Sequence, residues 1–318
     1  MKQISYHNLT TSSLGFGCAS LSTLPSLKQA LATLDIAYEH GITHFDVARL
    51  YGSGVSESIL GRFLRNRRGG VTITTKLGLN PPVAPQLNQS TIFMLKKVIR
   101  SVPGLEACLM ALLTRQRAGP PRFSAAEAKK SLETSLKELA TDYVDILLLH
   151  ECSLGEANAE EILEFLEGVV SEGKARYCGV GTAFANLPKD LGELNKRHAI
   201  VQTESNALQS NLDTMTGGLD RLYINYGAFA PVNFLIRAGH DQRSGLGDYM
   251  QAVCADKEKL GRLLLLAARW QNPQGIVLFA STRPDNIVQN IKSWNAYEDA
   301  VPEVKLFQHE VAKLAFDQ

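Results

Sequence analysis

YVDILLLH (143–150) is the stretch on which the fold turns. It is apolar at alternate positions of both parities, as a strand must be when both faces of its sheet are covered. It stops on a histidine. Working outward, comparable runs follow at ARYCGVG (175–181), 199–204 with IVQTE, LYINYGAF (222–229) and GIVLFAS (275–281). Upstream lie VTITTKL (71–77), HFDVA (44–48) and SLGFGC (13–18). Between them, apolar residues recur at helical spacing. Leu27, Ala30, Leu31, Leu34 and Tyr38 share one stripe that Gly41 ends. Ser124 and Glu127 precede Ala128, Leu132, Leu136 and Leu139 in a capping-box pattern. Residues 160–172 and 256–271 repeat the periodicity.

Eight strands, each followed by helical pattern, imply a parallel sheet, either closed as a (β/α)8 TIM barrel or open and doubly wound. The count favours the barrel. An open sheet of this size usually carries a glycine-rich first turn, and no G-x-G-x-x-G follows an early strand here. Strand starts are spaced by 31, 27, 72, 32, 24, 23 and 53 residues. The two long units place insertions at about 78–124 and 228–255, after the third and seventh strands and on the face where barrels build their sites. The expected organisation is a single barrel domain over 1–318. Residues 1–12 suit a short hairpin closing its bottom, and 302–318 an added helix.

Composition narrows the function. Lys and Arg total 33 against 32 Asp and Glu, a formal charge of +1, so no global field recruits nucleic acid. Five scattered cysteines with no C-x-x-C read as buried thiols in a reducing compartment, with no metal site. The first residues lack the apolar core of a signal peptide, and no apolar run is long enough to be a transmembrane segment. A cytoplasmic protein is expected.

In a barrel, an ionisable residue at the C-terminal end of a strand points to catalysis. Asp46, with Tyr51 just beyond, Lys76 and His150 stand at the ends of three consecutive strands. Asp46 and Lys76 can pair, holding the lysine charged. A charged lysine beside Tyr51 is expected to lower the phenol pKa and make it a general acid–base for an oxyanion formed at a carbonyl carbon. His150 can polarise the same oxygen.

GITHFDVARLYGSGVSESILG (41–61) resembles the signature of the aldo-keto reductases, with Asp46, Tyr51, Glu57 and Gly61 at matching positions. TTKLG (74–78), DYVDILLLH (142–150) and LEGVVSEGKARYCGVG (166–181) follow the family pattern in order. The resemblance implies hydride transfer between NAD(P)H and a small carbonyl or alcohol substrate, with Asp46, Tyr51, Lys76 and His150 as a tetrad and Tyr51 the proton donor. It places Gln202 at the nicotinamide carboxamide and Tyr226 against the nicotinamide ring. The usual Ser-Asn after the fifth strand is Gly181-Thr182 here, leaving Thr182 to serve alone. Ser281, Arg283, Asn286 and Asn290 fall in the adenosine-phosphate segment at the start of the last barrel helix, where a helix N-terminus favours phosphate. Arg283 makes NADP the expected cofactor, with NAD the alternative.

The 228–255 insertion falls where the family carries a strap over the cofactor, with Gly239, Gly245 and Gly247 as hinges and Arg237 and Arg243 as phosphate contacts. Within 78–124, residues 91–122 carry six Lys and Arg against one Glu. They read as two short basic amphipathic helices that form a lid, with an oligomer contact or docking to a partner or membrane surface as other readings. Two rival functions stay open. One is a Schiff-base lyase using Lys76, and the other is a regulatory barrel that senses cofactor with little turnover.

Overall fold

A computed structural model describes residues 1–81, 122–217, 220–240 and 246–315. Two strands, β1 (Gln3–Tyr6) and β2 (Leu9–Ser12), form the expected hairpin. Eight parallel strands then close a barrel: β3 (Leu14–Gly17), β4 (His44–Asp46), β5 (Thr72–Leu77), β6 (Val144–His150), β7 (Ala175–Gly181), β8 (Ile200–Glu204), β9 (Leu222–Tyr226) and β10 (Ile276–Phe279). They lie in chain order around the ring, and β10 pairs with β3 to shut it. All eight coincide with the strands expected from sequence.

Burial on both faces explains why most of the runs read as continuous stretches without alternation. Every residue of β5 and β6 is buried, so neither face tolerates the alternation of a half-exposed strand. Ile146, Leu148, Ile200, Ile224, Ile276 and Leu278 pack with Ile4, Tyr6 and Leu9 of the hairpin. The hairpin thus plugs the end of the barrel from which the strands start. The opposite end is left to polar side chains. Asp145 departs from the apolar pattern for a structural reason. Its carboxylate accepts from the Ile73 amide at 2.9 Å and pairs with Arg68 at 2.9 Å and Arg176 at 3.0 Å.

The outer helices begin at polar caps. Helix α1 (Leu27–Glu39) starts at Ser26, whose hydroxyl accepts from the Gln29 amide, and stops at Gly41 with φ of +95°. Helix α2 (Ser56–Phe63) follows β4, and α3 (Ala125–Leu139) is capped by Ser124. The short α4 (Leu154–Ala157) and α5 (Glu160–Ser171) follow β6. Among the described residues, the connections from β7 to β8 and from β8 to β9 hold no α-helix, a correction to the expectation that every strand is followed by one. Short 3-10 turns (Phe184–Asn186, Leu191–Glu193 and Asn211–Thr214) stand there instead. These connections are the shortest between barrel strands, and Pro188 and Gly192 interrupt the first. Leu191 and Leu194, at most 1% exposed, cover the strands in the helix's place.

The 228–255 insertion is built of α6 (Val232–His240) and α7 (Asp248–Ala255), which precede α8 (Lys257–Gln271). Leu235, Met250, Val253 and Cys254 join Leu260, Leu263 and Leu264 of α8 in a second apolar core. Gly239 is not a hinge within this pair. A Cβ there would lie 2.3 Å from Cβ of Cys254, so the glycine lets two helices cross closely. Gly245 and Arg243 lie outside the described residues, as do positions 82–121 of the other insertion. After β10 come α9 (Pro284–Asn295) and α10 (Tyr297–Ala315), the latter starting five residues before the expected 302. Cys18, Cys152, Cys178 and Cys254 are buried free thiols. No helix among the described residues is long and apolar enough to cross a membrane.

Candidate active site

Three adjacent strands end on the residues singled out in the sequence: Asp46 closes β4, Lys76 is next to last on β5, and His150 closes β6. Lys76 Nζ lies 2.6 Å from Asp46 Oδ1 and donates to the Tyr51 hydroxyl at 3.1 Å and to the Val47 carbonyl at 3.3 Å. The ammonium also lies 4.7 Å from the centre of the Tyr51 ring. The His150 ring meets that ring edge-on, with centroids 6.0 Å apart and planes at 85°. All four expected residues therefore converge on one point at the open end of the barrel.

The turn that aims Tyr51 is unusual. Gly52, Ser53 and Gly54 have φ of +62°, +58° and +90°, a left-handed turn in which only Ser53 carries a side chain. The following helix anchors it. Glu57, fully buried in the first turn of α2, accepts from Arg49 at 2.8 Å and from the Thr75 hydroxyl at 2.7 Å. That carboxylate ties the tyrosine loop to the strand bearing Lys76, a physical role for the Glu57 of the signature.

Burial and charge set the protonation states. Burial works against the Lys76 ammonium, but Asp46 and then Tyr51 outweigh it, so the amine stays protonated beyond the ordinary lysine range. A neutral amine for Schiff-base chemistry is not what this pocket makes. For Tyr51, burial raises the pKa and the neighbouring Lys76 only partly offsets it. The expectation of a lowered phenol pKa is thus corrected: desolvation exceeds the cation's pull. His150 is pushed down to about 3, first by burial and then by Lys76, and is neutral at ordinary pH. Its Nδ1 is buried with no hydrogen-bond partner among the described residues.

The expected cofactor residues divide into two groups. Gln202 and Thr182 are buried at the barrel mouth, and Tyr226 is half-buried at the end of β9. Gln202 Nε2 donates to Asp46 Oδ2 at 2.7 Å. The Thr182 hydroxyl donates to the Cys152 carbonyl at 3.2 Å and accepts from Asn186 at 3.0 Å. Ser281, Arg283, Asn286 and Asn290 lie apart from these, on the strand-end loop and first turns of α9. Arg283 and Asn286 are exposed there, and the Ser281 hydroxyl accepts from the Arg283 amide at 3.1 Å. Glu151 was missed in the sequence. It has φ of +57°, and its carboxylate accepts from the Ala183 amide at 3.1 Å, stitching the ends of β6 and β7 together. An acidic residue directly after a strand-terminal histidine was the signal available. Among the described residues no group of His, Cys, Asp and Glu could hold a metal.

Comparison with known proteins matches the model of the aldo/keto reductase family to residues 13–215. The chain belongs to the aldo/keto reductase family. It is 31% identical over 189 residues to the uncharacterized oxidoreductase YqkF of Bacillus subtilis (strain 168), covering 59% of this chain and 51% of that protein. Across the first curated relatives the chain spans about half of their length or less. In fold it resembles an aldo-keto reductase from Bacillus halodurans in its holo form, with a TM-score of 0.66 and 19% identity over 99% of this chain and 95% of that one. A Klebsiella pneumoniae aldo-keto reductase solved in complex with NADPH aligns with a TM-score of 0.62 and 19% identity, over 97% and 96% of the two chains.

Proposed function

We propose that the protein is an oxidoreductase that reduces a small aldehyde or ketone with NADPH, or oxidises the corresponding alcohol, within a single barrel domain carrying insertions after β5 and β9. The observation that carries this reading is the 3.1 Å contact between Lys76 Nζ and the Tyr51 hydroxyl, with the lysine itself paired to Asp46. Burial keeps the Tyr51 phenol protonated at neutral pH, so it has a proton to give. Lys76, fixed as a cation 3.1 Å away, stabilises the phenolate left once that proton has gone to a carbonyl oxygen. Neutral His150, beside the tyrosine ring, polarises the same oxygen. Asp46 holds Lys76 charged and in place. These four are the proposed catalytic residues.

The site's donor set fits a nicotinamide cofactor. Gln202 spends its amide nitrogen on Asp46, and its Oε1 accepts no hydrogen bond among the described residues. Gly181 beside it has no side chain to fill the space. Gln202, Thr182 and Tyr226 would hold the nicotinamide end. Ser281, Arg283, Asn286 and Asn290 would hold the adenosine end, Arg283 meeting a 2′-phosphate and so favouring NADP over NAD. The bound cofactor supplies the hydride. The complex of the Klebsiella pneumoniae neighbour with NADPH supports this choice.

The test is NADPH oxidation by the purified protein against a panel of reactive aldehydes, with deuterated cofactor to follow the hydride. Deuterium on the carbinol carbon of the product is the expected result. Tight NADPH binding with no carbonyl consumed across the panel would overturn the reading in favour of a cofactor-sensing barrel.

A further inference from the structure

Gln202 stands on β8 and Asp46 on β4, four places apart in a ring of eight strands. Their hydrogen bond therefore spans the barrel mouth from one side to the other, at 2.7 Å and between two groups no more than 3% exposed. Only one end of the amide can face a carboxylate at that distance, because two acceptor oxygens would repel. The nitrogen is thus committed to Asp46. Asp46 has both oxygens occupied, Oδ1 by Lys76 and Oδ2 by Gln202, so its plane is fixed.

The neighbouring strand makes room for this reach. His150, Gly181 and Gln202 lie level with one another across β6, β7 and β8. A Cβ on residue 181 would stand 3.1 Å from Gln202 Oε1 and 3.2 Å from Leu148 Cδ1, tighter than ordinary contact. Gly181 thus leaves open space beside the glutamine's Oε1.

We infer that Gln202 is a positioning residue for proton transfer, setting Asp46, and through it Lys76 and Tyr51, by a hydrogen bond across the barrel mouth. This rests on the reductase reading proposed above, but the bond itself does not. A glutamine whose business is the cofactor alone needs no partner on the opposite strand. Here the partner is the carboxylate that orients the lysine, and Oε1 lies beside Gly181. Gln202 then links the cofactor end of the site to its acid.

Two variants test this. Gln202→Leu removes the donor. Gln202→Glu restores it only while the new carboxyl is protonated, and once ionised it opposes Asp46. Among the described residues, the other titratable groups around the mouth are Cys18 directly after β3, Tyr51, Lys76, His150, Glu151 directly after β6, Glu204 and Tyr226, all unchanged in both variants. In urea denaturation of the cofactor-free protein, the stability gap between wild type and Gln202→Glu should widen as pH rises above about 4.3, the ordinary glutamate value. The gap for Gln202→Leu should stay flat. In turnover, both variants should lose about 10–100-fold in kcat at neutral pH, with Gln202→Glu alone recovering on acidification. Equal, pH-independent gaps for the two variants, or a change confined to NADPH affinity with the kcat profile of the wild type, would overturn the inference. The predicted denaturation pattern in a protein that reduces no carbonyl would overturn the relay role together with the reductase reading, while leaving the bond established.

Discussion

The two ends of the proposed site are built differently. At the β4–β6 end, Asp46 and Lys76 are almost wholly buried, and Lys76, Asp46 and Tyr51 are already hydrogen-bonded to one another through the ammonium. At the β10–α9 end, Arg283 and Asn286 are exposed and Ser281 only closes a local turn. The chemical end is assembled before any ligand arrives, with its electrostatics fixed by burial. The other end is a set of surface donors at a helix N-terminus, whose geometry a phosphate would complete. On the proposed function, rigidity is concentrated where a proton would be held, and recognition of a large ligand would fall to groups that cost little to expose.

The largest expected contrast is in stability. Lys76→Met leaves the Asp46 carboxylate buried without its cation and should cost about 3–5 kcal/mol in urea denaturation. Asp46→Asn in the same background should recover part of that loss. Arg283→Ala should stay within about 0.5 kcal/mol of wild type. Similar losses at both positions would dissolve the distinction between a buried end and an exposed one.

Acid is the second probe. His44, fully buried between the hydroxyls of Thr72 and Thr74, is pushed down to about 3 by burial and then by Lys76, as His150 is. Both bind protons more readily when unfolded. Each therefore contributes stability that is full above about pH 6.5 and is lost as pH falls toward 3, with a slope of at most about 1.4 kcal/mol per pH unit. Imidazole titration followed by NMR should show both rings neutral at pH 5. A midpoint near 6.5 for either would contradict the buried end as described.

The smallest effect belongs to the exposed end. Arg283→Ala should weaken NADPH about tenfold, the worth of one charge-assisted hydrogen bond, and leave NADH nearly unchanged. Fluorescence titration with the two cofactors decides it, and equal losses for both would remove Arg283 from the 2′-phosphate.

The same contrast explains what was legible in the sequence. Strands covered on both faces are mostly apolar or β-branched, so all eight could be read directly, and an ionisable residue closing such a run stood out. Asp46, Lys76 and His150 were visible for that reason. The hydrogen bond from Gln202 to Asp46 was not, because closure of the ring brings together strands that are 156 residues apart at these positions. Nor was the raised pKa of Tyr51, since the sequence gives its cationic neighbour but not how much water is excluded. The connections after β7 and β8 misled because the strand–helix alternation of the other units was extended to these shorter segments, the first of them broken by Pro188 and Gly192. The exposed residues near α9 could be named only through family resemblance, since burial imposes no pattern on them.

On the proposed function Tyr51, held between Lys76 and His150, delivers the proton and is not needed for cofactor binding. Turnover of Tyr51→Phe at saturating NADPH, beside its NADPH affinity, tests this most directly. A fall of about 10²–10⁴-fold in carbonyl reduction, with the affinity unchanged, is the expected result. Reduction at the wild-type rate by Tyr51→Phe would contradict it.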